Sequence, residues 1–250
     1  MNSFIAAIKN ENQKLFSRKR TYVFLGISAV IPLVTLIFLL YFQNVQGIRI
    51  TESMRFPSLI LSFFTGLLLP LFISMNVIEA FTGEVGEGSL KASLLRPVTR
   101  FKIFMAKILS SICYTAISLG LVFVVSTLCG LALRTHGSFV SGIAGSFIEY
   151  AASLIPLVMI TIIVAFISQF FKSSGGALTV CILLFIALKT LSSFFSNASE
   201  FFPTSYTNWG NLWTGGYLPV TTLIISFMFM LGYSIIFFAS GFYVFERKEL

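Results

Sequence analysis

Few residues in this sequence have side chains suited to acid–base or metal chemistry. The 250 residues contain one histidine, His136, three cysteines and no aspartate. The phosphate-binding pattern Gly-x-x-x-x-Gly-Lys-Ser/Thr does not occur, and aspartate is the usual magnesium ligand of ATP sites. No nucleophile stands in a recognisable pattern with a base. We therefore expect no enzyme active site and no cofactor or metal on this chain, and a solvated or structural His136.

The most informative polar stretch is the loop of residues 84–100. Ser89 is a good helix N-cap, and Leu90 and Leu94 lie one turn apart on the same face. Pro97 then ends the helix. The pattern predicts a short helix with exposed leucines, which require a protein or membrane partner. An ordinary positively charged connector would account for the basic residues alone.

Long apolar runs must position this loop. Apolar residues make up 56% of the chain and charged residues 10%, against about 25% in ordinary soluble domains. These proportions exclude disorder, a nucleic-acid-binding domain and a conventional soluble enzyme. Because a bilayer core needs about 20 apolar residues of helix, six runs qualify as membrane spans. They are residues 22–42, 59–81, 104–133, 147–171, 175–195 and 220–245.

The fold class that follows is all-α and polytopic, since only helices satisfy their own backbone groups in lipid. Lys and Arg residues predict the orientation, because they accumulate in cytoplasmic loops. With the N-terminus inside, 13 of the 17 lie on the cytoplasmic side and three, Arg49, Arg55 and Arg134, lie outside. An even number of spans then places both termini in the cytoplasm.

Residues 1–20 form an amphipathic segment before the first span. One helical face carries Phe4, Ile8, Leu15 and Phe16, while Lys9, Glu11 and Lys14 fall on other faces. Such a helix can lie flat on the inner leaflet, held by its apolar face and by anionic lipid. A plain positively charged anchor is the alternative.

The loop resembles that of ABC-2-type transporter permeases. The resemblance rests on the Glu-x-x-x-Gly-Ser start at Glu84, the Leu94-Leu95-x-Pro97 centre, Thr99-Arg100 and the later Lys107. In residues it is specific only over about 84–107, whereas six spans and a short basic C-terminus extend it to the whole topology. The chain looks most like the short bacterial permeases that export drugs, peptides or bacteriocins, or confer immunity to them.

That resemblance implies a coupling helix at 84–100 that docks on a separate ABC ATP-binding subunit. ATP and magnesium would then bind to the partner subunit, and the permease would work as a homodimer or a paired permease in the bacterial cell membrane. It implies contact with membrane lipid and none with nucleic acid. The docking surface carried over to this chain comprises Glu84, Glu87, Gly88, Ser89, Leu94, Leu95, Arg96 and Pro97.

Three charged residues within or beside the spans are candidates for gating or for the substrate path, because charges in a bilayer are costly. They are Glu79, Glu149 and Lys189. Solvation at the interface is the alternative for the glutamates, and we expect Lys189 and Glu149 to pair because their depths are similar. Near the last span, Trp209, Trp213 and Tyr217 would stack on a helix, either as an interface anchor or as a re-entrant hairpin.

The sequence therefore favours a permease subunit of an ATP-driven exporter of a hydrophobic or amphipathic substrate, such as a peptide, antibiotic or drug. Two alternatives stay open. One is a non-transporting membrane sensor or immunity protein. The other is an ion-coupled secondary carrier, which the few embedded charges and the lack of a visible inverted repeat disfavour.

Overall fold

A computed structural model describes residues 2–46, 55–84, 99–133, 139–195, 200–214 and 220–247. Within these ranges the chain is all-α, without strands, as its composition predicts. The helices are α1 (Asn2–Ser17), α2 (Lys19–Gln46), α3 (Phe56–Phe63), α4 (Leu69–Ile78), α5 (Arg100–Ala132), α6 (Phe139–Ser168), α7 (Ser174–Phe194) and α8 (Val220–Arg247). Two π-helical turns, Phe64–Leu68 and Glu79–Gly83, extend α3 and α4, and a 3₁₀ segment covers Pro203–Trp213.

Six helical stretches are long and apolar enough to cross a membrane, which confirms the predicted number. They are Lys19–Val45, Phe56–Gly83, Arg100–Ala132, Gly142–Ser168, Ser174–Phe194 and Val220–Arg247. Their ends lie within a few residues of the predicted bounds. The protein is therefore a polytopic membrane protein, and the predicted orientation stays a prediction.

The second and fourth spans form the centre of the bundle. In each of them 61% of the most apolar stretch is buried, against 17%, 11% and 6% in the first, fifth and sixth spans. The three outer spans carry large apolar side chains that face away from the protein, such as Ile37, Leu183 and Ile235. Such a surface is stable in lipid or against another membrane protein, and it would be unstable in water.

The second span is irregular at its middle. Pro70 has no N–H, so it cannot donate to the carbonyl of Gly66 four residues earlier, and a π-helical turn occupies Phe64–Leu68 at this point. The ammonium group of Lys189 on α7 donates to that same Gly66 carbonyl. A side chain from a neighbouring span thus satisfies a backbone group that the proline leaves without its α-helical donor.

The 3₁₀ segment packs into the bundle. Trp209 is 3% exposed and Trp213 is 48% exposed, and their rings meet edge to face with centroids 5.4 Å apart. Trp209 and Trp213 are thus in contact as expected, but from a 3₁₀ segment and not from an α-helix. Tyr217 lies outside the described residues, so its place beside them stays a prediction. The buried Trp209 agrees better with the re-entrant alternative than with an anchor.

Gly210 permits this close approach. A Cβ at position 210 would overlap the Ser153 hydroxyl and lie 2.5 Å from the backbone oxygen of Glu149 on α6. We predict that Gly210→Ala lowers the free energy of unfolding by about 1–3 kcal/mol, because the segment must move away from α6.

The measurement is the thermal unfolding midpoint in detergent. Gly232→Ala in α8 is the matched control, since a Cβ there meets nothing within 4 Å. In a helix interior that change is neutral or slightly stabilising. Equal midpoints for the two variants would contradict the close packing of the 3₁₀ segment on α6.

Candidate functional site

The polar loop between the second and third spans begins where the described second span ends, at Glu84. Residues 85–98 lie outside the described residues, and the structure resumes at Thr99, just before α5. Most of the predicted docking surface therefore stays a prediction. These residues are Glu87, Gly88, Ser89, Leu94, Leu95, Arg96 and Pro97.

Lys107 lies at the base of this loop, on α5, with none of its side chain exposed. Its ammonium nitrogen is 2.6 Å from Oε2 of Glu84 and 3.1 Å from Oε2 of Glu11. It also donates a 2.8 Å hydrogen bond to the carbonyl of Ala80. The three donors of a lysine ammonium thus have three acceptors, which is the condition for burying such a charge.

Lys14 completes the arrangement from α1. Its ammonium nitrogen lies 3.1 Å from Oε1 of Glu11 and 2.9 Å from Oε1 of Glu84. Each carboxylate therefore bridges both lysines, and the formal charges of the four side chains sum to zero. We call Glu11, Lys14, Glu84 and Lys107 the ionic quartet.

The ionic quartet joins three segments that are distant in sequence. Glu11 and Lys14 belong to α1, Glu84 follows the second span, and Lys107 lies about 10 Å along α5 from Arg100. Since Glu84 is the first residue of the polar loop and Lys107 follows the loop, the quartet connects the two ends of that loop to each other and to α1.

Two members of the quartet, Glu84 and Lys14, have pKa values that favour their charged forms. Burial alone would raise the pKa of the Glu84 carboxyl, but the charges and hydrogen bonds of Lys107 and Lys14 hold it below the usual value. Burial likewise opposes the charge on Lys14, and its contacts with Glu84 and Glu11 outweigh this, so the pKa of Lys14 is raised. Glu84 and Lys14 are therefore both ionised throughout the neutral pH range.

Glu79 makes a second set of ion pairs on the same side of the bundle. Its carboxylate oxygens lie 3.4 Å from guanidinium nitrogens of Arg18 and Arg20, at the junction of α1 and α2. A quarter of the Glu79 side chain is exposed, so this contact is weaker than the quartet. A gating role for Glu79 stays a prediction.

Lys189 and Glu149 do not form the expected ion pair. Lys189 donates to the Gly66 carbonyl and lies over the Phe185 ring at 5.9 Å. Glu149, which is 4% exposed, accepts a hydrogen bond from the Thr214 hydroxyl at the end of the 3₁₀ segment. The two charges have different partners because the π-turn and the 3₁₀ segment present polar groups that sequence spacing does not reveal.

Sequence reasoning missed the inward side of α1. Glu11, which was placed away from the apolar face, is 8% exposed and faces Lys107. The Asn12 side chain accepts a 2.6 Å hydrogen bond from Ser110, and Phe16 meets the Tyr114 ring at 6.4 Å. In this structure α1 packs against α5 through polar as well as apolar contacts, whereas the sequence favoured a helix held by lipid alone.

One signal in the sequence could have identified this site. Lys107 lies inside the predicted third span, where a charge is a functional candidate by default, yet it was used only for the orientation and for the family resemblance. Lys14 and Glu11 lie three residues apart and are therefore neighbours on the surface of a helix. No spacing rule could have shown that these two and Lys107 share the Glu84 carboxylate.

The fold and the quartet define a polytopic α-helical membrane protein whose polar loop is anchored by buried ion pairs. The chain belongs to the family described as "Protein of unknown function (DUF2705)", whose model matches residues 6–250. It is also similar to "Uncharacterized protein YhcI" of Bacillus subtilis (strain 168). The identity is 26% over 223 residues, covering 80% of this chain and 68% of the relative.

We predict that Lys107→Met destabilises the protein by about 3–5 kcal/mol, because it leaves the Glu11 and Glu84 carboxylates buried without this cation. The unfolding midpoint in detergent is the measurement, and Lys9→Met is the control because Lys9 is an exposed lysine of α1. Adding Glu84→Gln to Lys107→Met should cost less than the sum of the two single changes. Strict additivity would show that these side chains do not interact.

The contact of α1 with α5 should depend on pH. Since the pKa of Glu84 is lowered, its contribution is present above the usual value of 4.5 and is lost as the pH falls through the lowered value. Since the pKa of Lys14 is raised, its contribution is present below 10.5 and is lost as the pH rises through the raised value.

The distance between spin labels at positions 9 and 101 measures this contact, in a variant without the native cysteines. We expect a single short distance near neutral pH and a longer, broader distribution once the pH falls through the lowered pKa of Glu84. Glu84→Gln should reduce the acid transition. A distribution that is unchanged by acid would contradict the role of the quartet in holding α1.

Proposed function

We propose that this protein is the permease subunit of an ATP-driven exporter in the bacterial cell membrane. A separate ATP-binding subunit would dock on the loop of residues 84–100, which is predicted to lie on the cytoplasmic side. The observation that carries the proposal is the ionic quartet, which anchors both flanks of that loop to the bundle and to α1.

A coupling loop must transmit motion, so its ends need firm connections to the elements that move. Glu84 follows the second span, Lys107 belongs to the third, and their charged groups are 2.6 Å apart. Buried ion pairs of this kind hold a specific geometry, because separating the charges in a region of low dielectric is costly. A push on the loop would therefore move both spans and α1 together.

The composition of the chain supports ATP hydrolysis by a separate subunit. The sequence has no phosphate-binding loop and no aspartate, so ATP hydrolysis with its magnesium ion would belong to the partner. The outer faces of α2, α7 and α8 carry exposed apolar side chains, which leaves room for contact with a second permease and with lipid. A homodimer or a paired permease, with a hydrophobic or amphipathic substrate such as a peptide, antibiotic or drug, agrees with these surfaces.

One observation favours the alternative of an ion-coupled carrier. The carboxylate of Glu149 is buried, and only one of its oxygens has a hydrogen-bond partner among the described residues. Buried carboxylates of this kind carry protons or cations in secondary carriers. Transport into vesicles that is driven by an ion gradient without ATP, and abolished by Glu149→Gln, would favour this alternative. A non-transporting sensor or immunity protein would show no transport in vesicles, whether ATP or an ion gradient is supplied.

The decisive prediction concerns the two leucines of the loop. We expect Leu94→Asp with Leu95→Asp to reduce co-purification of the ATP-binding subunit at least tenfold, because the two charges oppose burial of that apolar surface. Membrane insertion should be unchanged. The measurement is the ratio of the two subunits recovered from membranes on a tag at the end of this chain.

The matched control is Phe195→Asp with Phe201→Asp. It introduces the same kind of change at two exposed apolar residues near the ends of α7 and of the 3₁₀ segment, on the predicted outer side. We expect it to leave the subunit ratio as in the unmodified chain. If both double variants retain the ATP-binding subunit equally, residues 94 and 95 are not the docking surface.

A further inference from the structure

The 3₁₀ segment presents a polar face to the second span and to α6. Residues three apart lie above one another in a 3₁₀ helix, so Asn208, Asn211 and Thr214 form one row along the segment. A separate row that contains Trp209 packs among apolar side chains of α6 and α8. The polar row is thus distinct from the apolar contacts that hold the segment in the bundle.

A contact with the second span determines the orientation of the Asn211 side chain. The Ser62 hydroxyl donates its proton to the Ser58 carbonyl, so its oxygen can only accept a further hydrogen bond. Asn211 meets this oxygen at 2.5 Å and must therefore present its amide nitrogen there. The amide oxygen of Asn211, Oδ1, is buried and has no hydrogen-bond donor within the described ranges.

Glu149 on α6 also has an acceptor oxygen without a donor, at the end of the same row. The residue is 4% exposed, and one carboxylate oxygen accepts a hydrogen bond from the Thr214 hydroxyl. The other oxygen, Oε2, is buried without a donor among the described residues. The Ser153 hydroxyl, one turn further along α6, donates to the backbone carbonyl of Glu149 and not to the carboxylate. No lysine or arginine in the described part of the chain forms an ion pair with Glu149.

These two oxygens need a partner that carries a positive charge. Asn211 and Thr214 are one 3₁₀ turn apart, about 6 Å along the segment, so Asn211 is a near neighbour of the residue that contacts Glu149. Buried polar groups nearly always have a partner, which can be ordered water. A water molecule would leave the carboxylate charge uncompensated in a region of low dielectric, which is costly. A cation compensates the charge and is coordinated by oxygen atoms as well.

We propose that Glu149 and Asn211 bind a monovalent metal cation between α6 and the 3₁₀ segment. Carboxylate and amide oxygens are ligands of hard cations. One carboxylate balances one positive charge, whereas calcium sites usually contain several carboxylates, so sodium or potassium fits this site better than calcium. Trp213 and Thr214 at the end of the segment are exposed, which opens the site toward the predicted outer side.

The bound cation joins two elements of the fold, since the carboxylate belongs to α6 and the amide to the 3₁₀ segment. Because the unfolded chain does not hold these oxygens together, cation binding stabilises the folded protein. The proposal does not depend on the export function, since a permease, a sensor and a carrier would all be stabilised in this way. Only in a carrier would the cation also be transported.

Thermal unfolding of the full-length protein in detergent tests the site. Sodium chloride and potassium chloride are each compared with N-methylglucamine chloride, whose bulky organic cation cannot replace a metal ion, at equal ionic strength and neutral pH. We expect at least one of the two metal salts to raise the unfolding midpoint by about 2 °C or more relative to the organic salt. Equal midpoints in the three salts would overturn the proposal and would mean that a proton compensates Glu149.

A substitution tests the charge of Glu149. Glu149→Gln keeps the shape of the side chain and removes its charge, so we expect the difference between the metal salts and the organic salt to disappear. Glu200→Gln is the matched control, because Glu200 is an exposed residue on the same predicted side, and it should keep the full difference. A difference that persists in Glu149→Gln, or that both variants lose equally, would contradict the assignment.

A second pair of variants tests Asn211. Asn211→Ala and Ser62→Ala both remove the hydrogen bond between these two residues, but only Asn211→Ala removes the amide oxygen. We expect Asn211→Ala to raise the cation concentration that gives half of the stabilisation by about fivefold or more, and Ser62→Ala to leave it unchanged. If both variants require the same concentration, Asn211 is not a ligand and the proposed pair of ligands is wrong.

Discussion

Lys107 carries a positive charge on a side chain that has no exposed surface, and the structure around it must neutralise that charge. Two carboxylates do so, one from α1 and one from the end of the second span. An uncompensated charge in this position would cost several kcal/mol. The position of Lys107 therefore requires that α1 and the end of the second span pack against the third span there. The position of the amphipathic helix and the base of the polar loop both follow from this constraint.

A partly buried contact between Lys189 and a backbone carbonyl meets a different requirement. Pro70 removes a helical donor in the second span, and Lys189 donates to the Gly66 carbonyl nearby. Gly66 also allows this approach, since a Cβ there would lie 3.3 Å from the Lys189 nitrogen. Lys107 thus balances buried carboxylates and Lys189 supports an irregular backbone, and neither set of contacts was predicted from the sequence.

The elements that sequence predicted well are those determined by local composition. An apolar run of about 20 residues forms a helix in a bilayer whatever its neighbours are. The reason is that its backbone N–H and C=O groups must hydrogen-bond to one another where no water is present. The number of spans and the helical N-terminal segment could therefore be predicted. The role of Glu11, the separate partners of Lys189 and Glu149, and the 3₁₀ conformation around Trp209 could not, because each depends on a contact between residues far apart in sequence.

The sequence alone determined that this chain is a helical, six-span membrane protein, since the length and hydropathy of its apolar runs settle those points. The tertiary structure alone decided which charges meet. Coulomb attraction between Glu84 and Lys107 depends on a separation of 2.6 Å, whereas the two residues are 23 positions apart in the chain. Only the packing of α1 and the two spans brings such groups together, and no periodicity within a single helix encodes it.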